Sequence, residues 1–186
     1  MLNDYINPGK PTFHTRTALQ FLRDTVHDVL SESLHSLCNV VLNDPNFAEA
    51  PGSTEHHHNY PKGLVQHVAE VMNNVIELTG GIPSEELVTA VIWHDYMKTR
   101  DYSLDHEGNI IKQEYRKRIN HLPGSFAEFY HTAKTMDFSQ EFIDEVSHLL
   151  LSHHGRKEWG SPVEPRTADA FILHTADMMS ASGIIL

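Results

Sequence analysis

The stretch Leu150-Leu151-Ser152-His153-His154-Gly155 sets two adjacent imidazoles where an apolar run stops at a glycine. One His there could complement the negative end of a helix, but two suggest that something is held. Five more ionisable residues lie on otherwise apolar helical faces: His67, His94, Asp95, His121 and Asp177. A buried carboxylate or imidazolium without a partner is costly, and neighbouring carboxylates raise one another's pKa, so the set needs a compensating charge. Divalent cations supply one. Neutral imidazole nitrogens together with carboxylate oxygens suit manganese, iron, cobalt, nickel or zinc, and a set this rich in His matches magnesium alone poorly. The chain has fifteen His, a surplus that invites the same idea without choosing among them. His14, His27, His35, His106, His131 and His148 read as residues of solvated helix faces and loops. His174, one turn before Asp177, reads as a residue that orients a ligand.

Helices have to carry these groups. From Thr17 onward Ala18, Leu22, Val26, Val29 and Leu30 recur at helical spacing, and Leu34, Leu37, Val40 and Val41 continue or restart the pattern. Asn43-Asp44-Pro45 reads as its stop, followed by a long loop over residues 46–63. Leu64, His67, Val68, Val71 and Val75 share a face of the next helix, which Gly80-Gly81 ends. Ser84 caps another, with Glu85 and Glu86 in its first turn and Leu87, Val91, His94 and Asp95 on one face. Residues 100–115 read as a turn-rich insertion. A helix starts near Asn120, with His121 in its first turn, and runs toward Met136. Ser139 caps a further one, in which Val146, Leu149 and Leu150 align with His153 and His154. Thr167 caps the last, where Ala170, Leu173, Asp177 and Ala181 form one stripe. No alternating strand pattern appears, so the expected fold is all-α with a metal site in its core.

The 186 residues carry a formal charge of −11, which argues against a sequence-independent grip on long nucleic acid. A small anionic substrate stays compatible with that charge, because bound divalent cations reverse a local field. One cysteine, Cys38, excludes an intrachain disulfide. The first residues lack the basic and apolar regions of a signal peptide, and no apolar run approaches the roughly 20 residues that span a bilayer. The expectation is a soluble cytoplasmic protein that makes no membrane contact.

His67, the His94-Asp95 pair and the distal Asp177 resemble the H…HD…D signature of the HD-domain metal-dependent phosphohydrolases, an all-helical superfamily. Within it the chain is similar to the HD domain of bacterial 3′–5′ exoribonucleases, in FAEAPGSTEHHHNYPKGLVQH, in HDYMK and in SHHGRKEWGSPVEPRTADAFILHTADMMSA. The similarity runs over roughly residues 47–181 and is loose through 100–118. It implies an HD-domain helical bundle forming one structural domain, in which residues 47–186 are the HD domain and residues 1–46 an arm and helices packed on its core.

The resemblance also implies roles. His67, His94, Asp95 and Asp177 would hold one divalent transition metal, and Asp95 would bridge to a second held by His121, His153 and His154, with one or both of that adjacent pair as ligands. Lys98 would meet a phosphate oxygen, and His57, His58, Lys62 and Arg156 would line the substrate side. Two departures stand out: Lys62-Gly63 replaces the usual Gly-Gly, and Tyr96-Met97 replaces Ile-Gly and is expected to bulk up the pocket edge. No oligonucleotide-binding domain is expected ahead of these motifs, and processive digestion of RNA is therefore not expected.

Two metals about 3.5–4 Å apart can share a hydroxide and clamp a phosphoryl group for in-line attack. The expected activity is therefore hydrolysis of phosphoesters, diesters included, in nucleotides or short oligonucleotides. The expected partner is a phosphorylated small molecule or short single-stranded oligonucleotide, with a homo-oligomer left open. Trp93, Tyr96, Tyr102, Tyr130 and Trp159 are candidates for stacking on a base. Two alternatives compete with this reading. Some HD-fold proteins resembling this one are mixed-valent di-iron oxygenases. The triplet His56-His57-His58 also resembles HD-type relaxases of conjugative elements, which process nucleic acid.

Overall fold

Residues 15–54 and 57–186 are described by a computed structural model. The arm read over the first residues, with His14, lies outside them, as does His56. Helix α1 (Thr15–Val29) buries Ala18, Leu22 and Val26, and α2 (Glu32–Leu42) buries Leu34, Leu37 and Val41. The apolar pattern restarts between them: Ser31 is extended, and its N–H donates to Glu85 Oε1 at 2.6 Å, which pins the corner to a later helix.

The stop read at Asn43-Asp44-Pro45 holds, since α2 ends at Leu42 with Asn43 as its cap, but the same residues also start a helix. Asp44 accepts from the Asn46 N–H at 2.8 Å, and Pro45 opens α3 (Pro45–Glu49). Proline is harmless at that first position, where no helical hydrogen bond is lost. The expected loop therefore begins only after Glu49. It closes against α4 (Gly63–Thr79) where Gly63 passes the His58 carbonyl so closely that a β-carbon would collide with it.

Helix α5 (Glu85–Trp93) starts at Ser84, whose hydroxyl accepts from the Leu87 N–H at 3.1 Å, and it ends on the turn that carries His94 and Asp95. After α6 (Lys98–Asp101) comes a departure from the all-helical expectation. Strands β1 (Tyr102–Leu104) and β2 (Ile110–Lys112) pair antiparallel, Tyr102 opposite Lys112 and Leu104 opposite Ile110. The connecting turn is held by Asp105 Oδ1, which accepts from the N–H groups of Glu107 and Asn109. Strands of three residues are too short to show alternation in sequence. The fold remains helical around this one hairpin.

Helices α7 (Glu114–Arg118), α8 (His121–Thr135), α9 (Gln140–Ser152) and α10 (Ala168–Ala181) complete the described chain, with a short 3₁₀ turn at Lys157–Trp159. Asn120, Ser139 and Thr167 each accept from a backbone N–H at the start of α8, α9 and α10, as their residue types predict. Helix α10 lies along α4, and α9 packs between α5 and α8. One apolar cluster draws on α1–α5 and α8–α10, with Phe47, Trp93 and Phe129 fully buried in it. No described helix is long and apolar enough to cross a membrane.

Candidate metal centre

The seven residues singled out above come from α4, the turn after α5, α8, the end of α9, and α10, and they meet in two groups. In the first, His67 Nε2 lies 3.2 Å from Asp95 Oδ2 and 3.1 Å from Asp177 Oδ1. His94 Nε2 stands 3.3 Å from His67 Nε2 and 3.4 Å from Asp95 Oδ2. In the second, His121 Nε2 is 3.4 Å from His154 Nε2 and 3.4 Å from Asp95 Oδ1. His153 Nε2 is 3.8 Å from that same Oδ1. Asp95 thus turns one carboxylate oxygen to each group.

The other ring nitrogen of every candidate imidazole is occupied. His94 Nδ1 donates to Val91 O at 2.8 Å, His153 Nδ1 to Leu150 O at 2.7 Å, and His154 Nδ1 to Trp159 O at 3.1 Å. His121 Nδ1 donates to Asp101 Oδ2 at 2.8 Å. His67 Nδ1 donates to Ser180 Oγ at 2.9 Å, and that hydroxyl in turn donates to Glu70 Oε2 at 2.8 Å. Carbonyl and carboxylate oxygens only accept, so the proton of each neutral ring is on Nδ1 and its Nε2 is a lone-pair acceptor.

Two facing acceptors cannot bond each other. His67 and His94 Nε2 at 3.3 Å, and His121 and His154 Nε2 at 3.4 Å, therefore call for a positive charge between them: a metal ion or, in the first pair without one, the proton that Asp177 and Asp95 hold on His67. Ligand atoms bound at about 2.1 Å to one ion stand roughly 3.0–3.4 Å apart, which matches these separations. Asp95 Oδ1 and His153 Nε2 are buried with no hydrogen-bond partner, another sign of a place shaped for a cation. The donor set, imidazole nitrogen with carboxylate oxygen, suits divalent transition metals.

The charges agree. Burial opposes ionisation of Asp95, yet Lys98 and His94 hold its carboxyl well below the usual carboxylate range. Burial likewise opposes Asp177, but the bond from His67 and the nearby imidazoles hold it low. Burial pushes His67 down, and the adjoining carboxylates of Asp177 and Asp95 outweigh it and raise this imidazole to about 9. Burial, then the neighbouring His154 and His94, keep His153 neutral, well below its ordinary value.

Of the seven, His67, Asp95, His154 and Asp177 line a cleft of about 420 Å³. Lys98 lines it with its Nζ 2.5 Å from Asp95 Oδ2, so its charge rests on the shared carboxylate. His57 lines it too. His58 is buried and donates from Nε2 to Glu70 Oε2 at 2.9 Å, which joins it to the Ser180–His67 chain. Lys62 does not line the cleft. Its Nζ lies 3.3 Å from Glu49 Oε1, and its backbone is left-handed with φ 71°, a conformation that explains why glycine is usual there. Arg156 is placed at the rim only through Trp159, its guanidinium carbon 4.9 Å from that ring's centre.

Tyr96 and Met97 do not edge the cleft as expected: Tyr96 donates to Asp44 Oδ2 at 2.8 Å, and Met97 packs on Gly124. Of the five aromatic candidates, Trp93 and Tyr102 are buried, Tyr130 stands apart beside Phe126, and only Trp159 lines the cleft. His174 donates from Nδ1 to the His153 carbonyl at 2.8 Å, so it steadies that residue's backbone.

Sequence reasoning missed Glu70, Asp101 and Ser180. Each is buried, and each holds a candidate imidazole directly or through one hydroxyl. A hint was available in helical spacing: Glu70 lies one turn past His67, and Ser180 one turn past Asp177.

A helical bundle with this H…HD…D arrangement at its centre defines a class, and the chain belongs to it: the HD-domain family model matches residues 64–182. Curated relatives include the 3′–5′ exoribonuclease YhaM of Shouchella clausii, 33% identical over 141 residues, which are 73% of this chain and 43% of that protein. YhaM of Bacillus subtilis is 30% identical over 151 residues, 76% of this chain and 46% of that protein. YhaM of Listeria monocytogenes is 32% identical over 148 residues, 74% and 44% respectively. The chain spans less than half the length of these relatives. No solved structure gives a significant match.

Proposed function

We propose that this chain is a metal-dependent phosphohydrolase that cleaves phosphoesters of nucleotides or short oligonucleotides. The observation that carries the reading is the pair of imidazole–imidazole contacts through Nε2 atoms, one in each group, with Asp95 presented to both. His67, His94, Asp95 and Asp177 would hold one divalent transition metal; His121, His153 and His154, with the other oxygen of Asp95, would hold a second. When bound, such ions activate water and neutralise charge on a phosphoryl group. The family membership and the relatives named as exoribonucleases favour a nucleotide phosphate as the group attacked.

The chain's own residues supply positioning, on which phosphoryl transfer chiefly depends. Asp95 sets the relation between the two groups. Lys98, beside it in the cleft, offers an ammonium to a non-bridging phosphate oxygen; burial opposes that charge, but Asp95 and Asp177 keep it protonated. His57 stands at the cleft wall within reach of the rest of the substrate. The test is a panel of nucleoside monophosphates, cyclic nucleotides and short RNA and DNA oligonucleotides, each with manganese, cobalt or iron. Release of phosphate or nucleotide from at least one class is expected. Absence of turnover in every combination, with metal content verified, refutes the reading.

A further inference from the structure

Part of the cleft wall bears no ionisable group. Trp159, Met178 and Ala181 line it together with the Asp95–Lys98 floor, and Trp159 keeps 49% of its surface and Met178 38% exposed. A large flat apolar side chain left open to water at a polar cleft points to a ligand with a flat apolar part. The indole is held in place. Its own carbonyl accepts from His154 Nδ1 at 3.1 Å, Gly160 closes the turn in left-handed conformation, and the Arg156 guanidinium carbon sits 4.9 Å from the ring centre. At about 420 Å³ the cleft lies toward the small end of ligand pockets, which run to about 1,000 Å³, a size that suits one nucleotide unit and not a run of them.

We infer that Trp159 is the base platform of the cleft: it stacks on the nucleobase of the nucleotide whose phosphate faces Asp95 and Lys98. This rests on the phosphohydrolase reading and adds to it a specificity-determining residue. Stacking uses the π-face that every base has, so the platform selects nucleotides over base-free sugar phosphates without choosing one base by hydrogen bonds. Purines, with the larger face, bind more tightly than pyrimidines.

The experiment uses metal-loaded protein and needs no turnover. The chain has two Trp, of which Trp93 is fully buried, so quenching of indole emission by an added nucleotide reports on Trp159. AMP and GMP are expected to quench it, and ribose 5-phosphate at the same concentration is not. By calorimetry, Trp159→Ala is expected to weaken AMP binding about 5- to 150-fold, the range for one lost base–aromatic stack. The AMP-to-ribose-5-phosphate affinity ratio falls by the same factor, and Trp159→Phe restores most of it. Metal content is measured in each variant, because the Trp159 backbone touches His154.

Equal loss for AMP and ribose 5-phosphate, loss of bound metal in Trp159→Ala, or no binding of AMP to the parent protein overturns the inference. So does an unchanged ratio. Base-dependent binding without turnover of any substrate refutes the hydrolase reading and leaves the platform standing; turnover indifferent to the base does the reverse.

Discussion

Asp101→Asn removes one negative charge from the pocket behind His121 and leaves the shape unchanged. Asp101 is fully buried, and its Oδ2 accepts from His121 Nδ1 at 2.8 Å and from the His121 backbone N–H at 3.3 Å, with Arg116 Nη1 3.6 Å away. An asparagine oxygen can take the same two donors, but the charge that made the bonds strong is gone, and charge-assisted bonds are about twice as strong as neutral ones. That loss is about 1–1.5 kcal/mol, or roughly tenfold in affinity for an ion that needs His121 Nε2, at the low end of the 10- to 100-fold typical of partners behind a metal ligand. The new amide also replaces Oδ1, an atom with no hydrogen-bond partner, so two unmet donors destabilise the fold by about 1–3 kcal/mol. At about 2–4 °C per kcal/mol, the melting temperature falls by several degrees. Competition between the protein and a chromophoric chelator, with elemental analysis, reads both affinities. The expected result is a weakened second ion and a first ion held as before. Equal weakening of both, or no change in either beyond twofold, would refute the division of the seven residues into two groups.

The same assay applied to the shared carboxylate gives a different pattern: Asp95→Ala is expected to lose both ions and all hydrolysis, whereas Asp177→Ala loses only the ion of the first group. Gly155→Ala forces a β-carbon into a residue at φ 81°, against the His174 ring, so it should cost about 1–3 kcal/mol and lower the melting temperature accordingly; an unchanged melt contradicts that packing. His67 is raised to about 9 from an unfolded value near 6.5, so its protonated form stabilises the fold fully below pH 6.5 and that contribution is lost as pH rises through 9. His153 has the opposite shift, and its contribution is lost as pH falls below 6.5. Chelator-treated protein should therefore melt highest near pH 6.5, and its affinity for added metal should climb between pH 6.5 and 9 as the proton on His67 is displaced. A melt that rises steadily from pH 6.5 to 9 contradicts the assignment.

The helices were legible because their apolar residues keep a 3.6 period and their first turns carry Ser84, Asn120, Ser139 and Thr167. That the seven candidates meet in two groups was legible for a related reason: imidazoles and carboxylates on an apolar face break the pattern and demand an explanation. Pro45 marked the end of α2 but hid the start of α3, because the residue that stops one helix can also begin the next, and only the Asp44 cap shows it. The hairpin at residues 102–112 was hidden by the brevity of its strands. Glu70, Asp101 and Ser180 were hidden because acids and serines are ordinary on solvated faces, and only burial of 2% exposure or less reveals that these three face inward. Lys62 illustrates the converse, a charge next to the motif that pairs with Glu49 and does not line the cleft.

The division of Asp95 between two groups also has a temporal side. His121 and His154 are separated by 33 residues, whereas the buried link from His67 to Ser180 closes across 113. Closing a longer loop costs more chain entropy and slows folding when the contact is made early. Helices α8 and α9 are neighbours in the chain, so the all-imidazole half closes the shorter loop. The half with two carboxylates has to wait for α10 to dock along α4, and that docking is the event that finishes the centre.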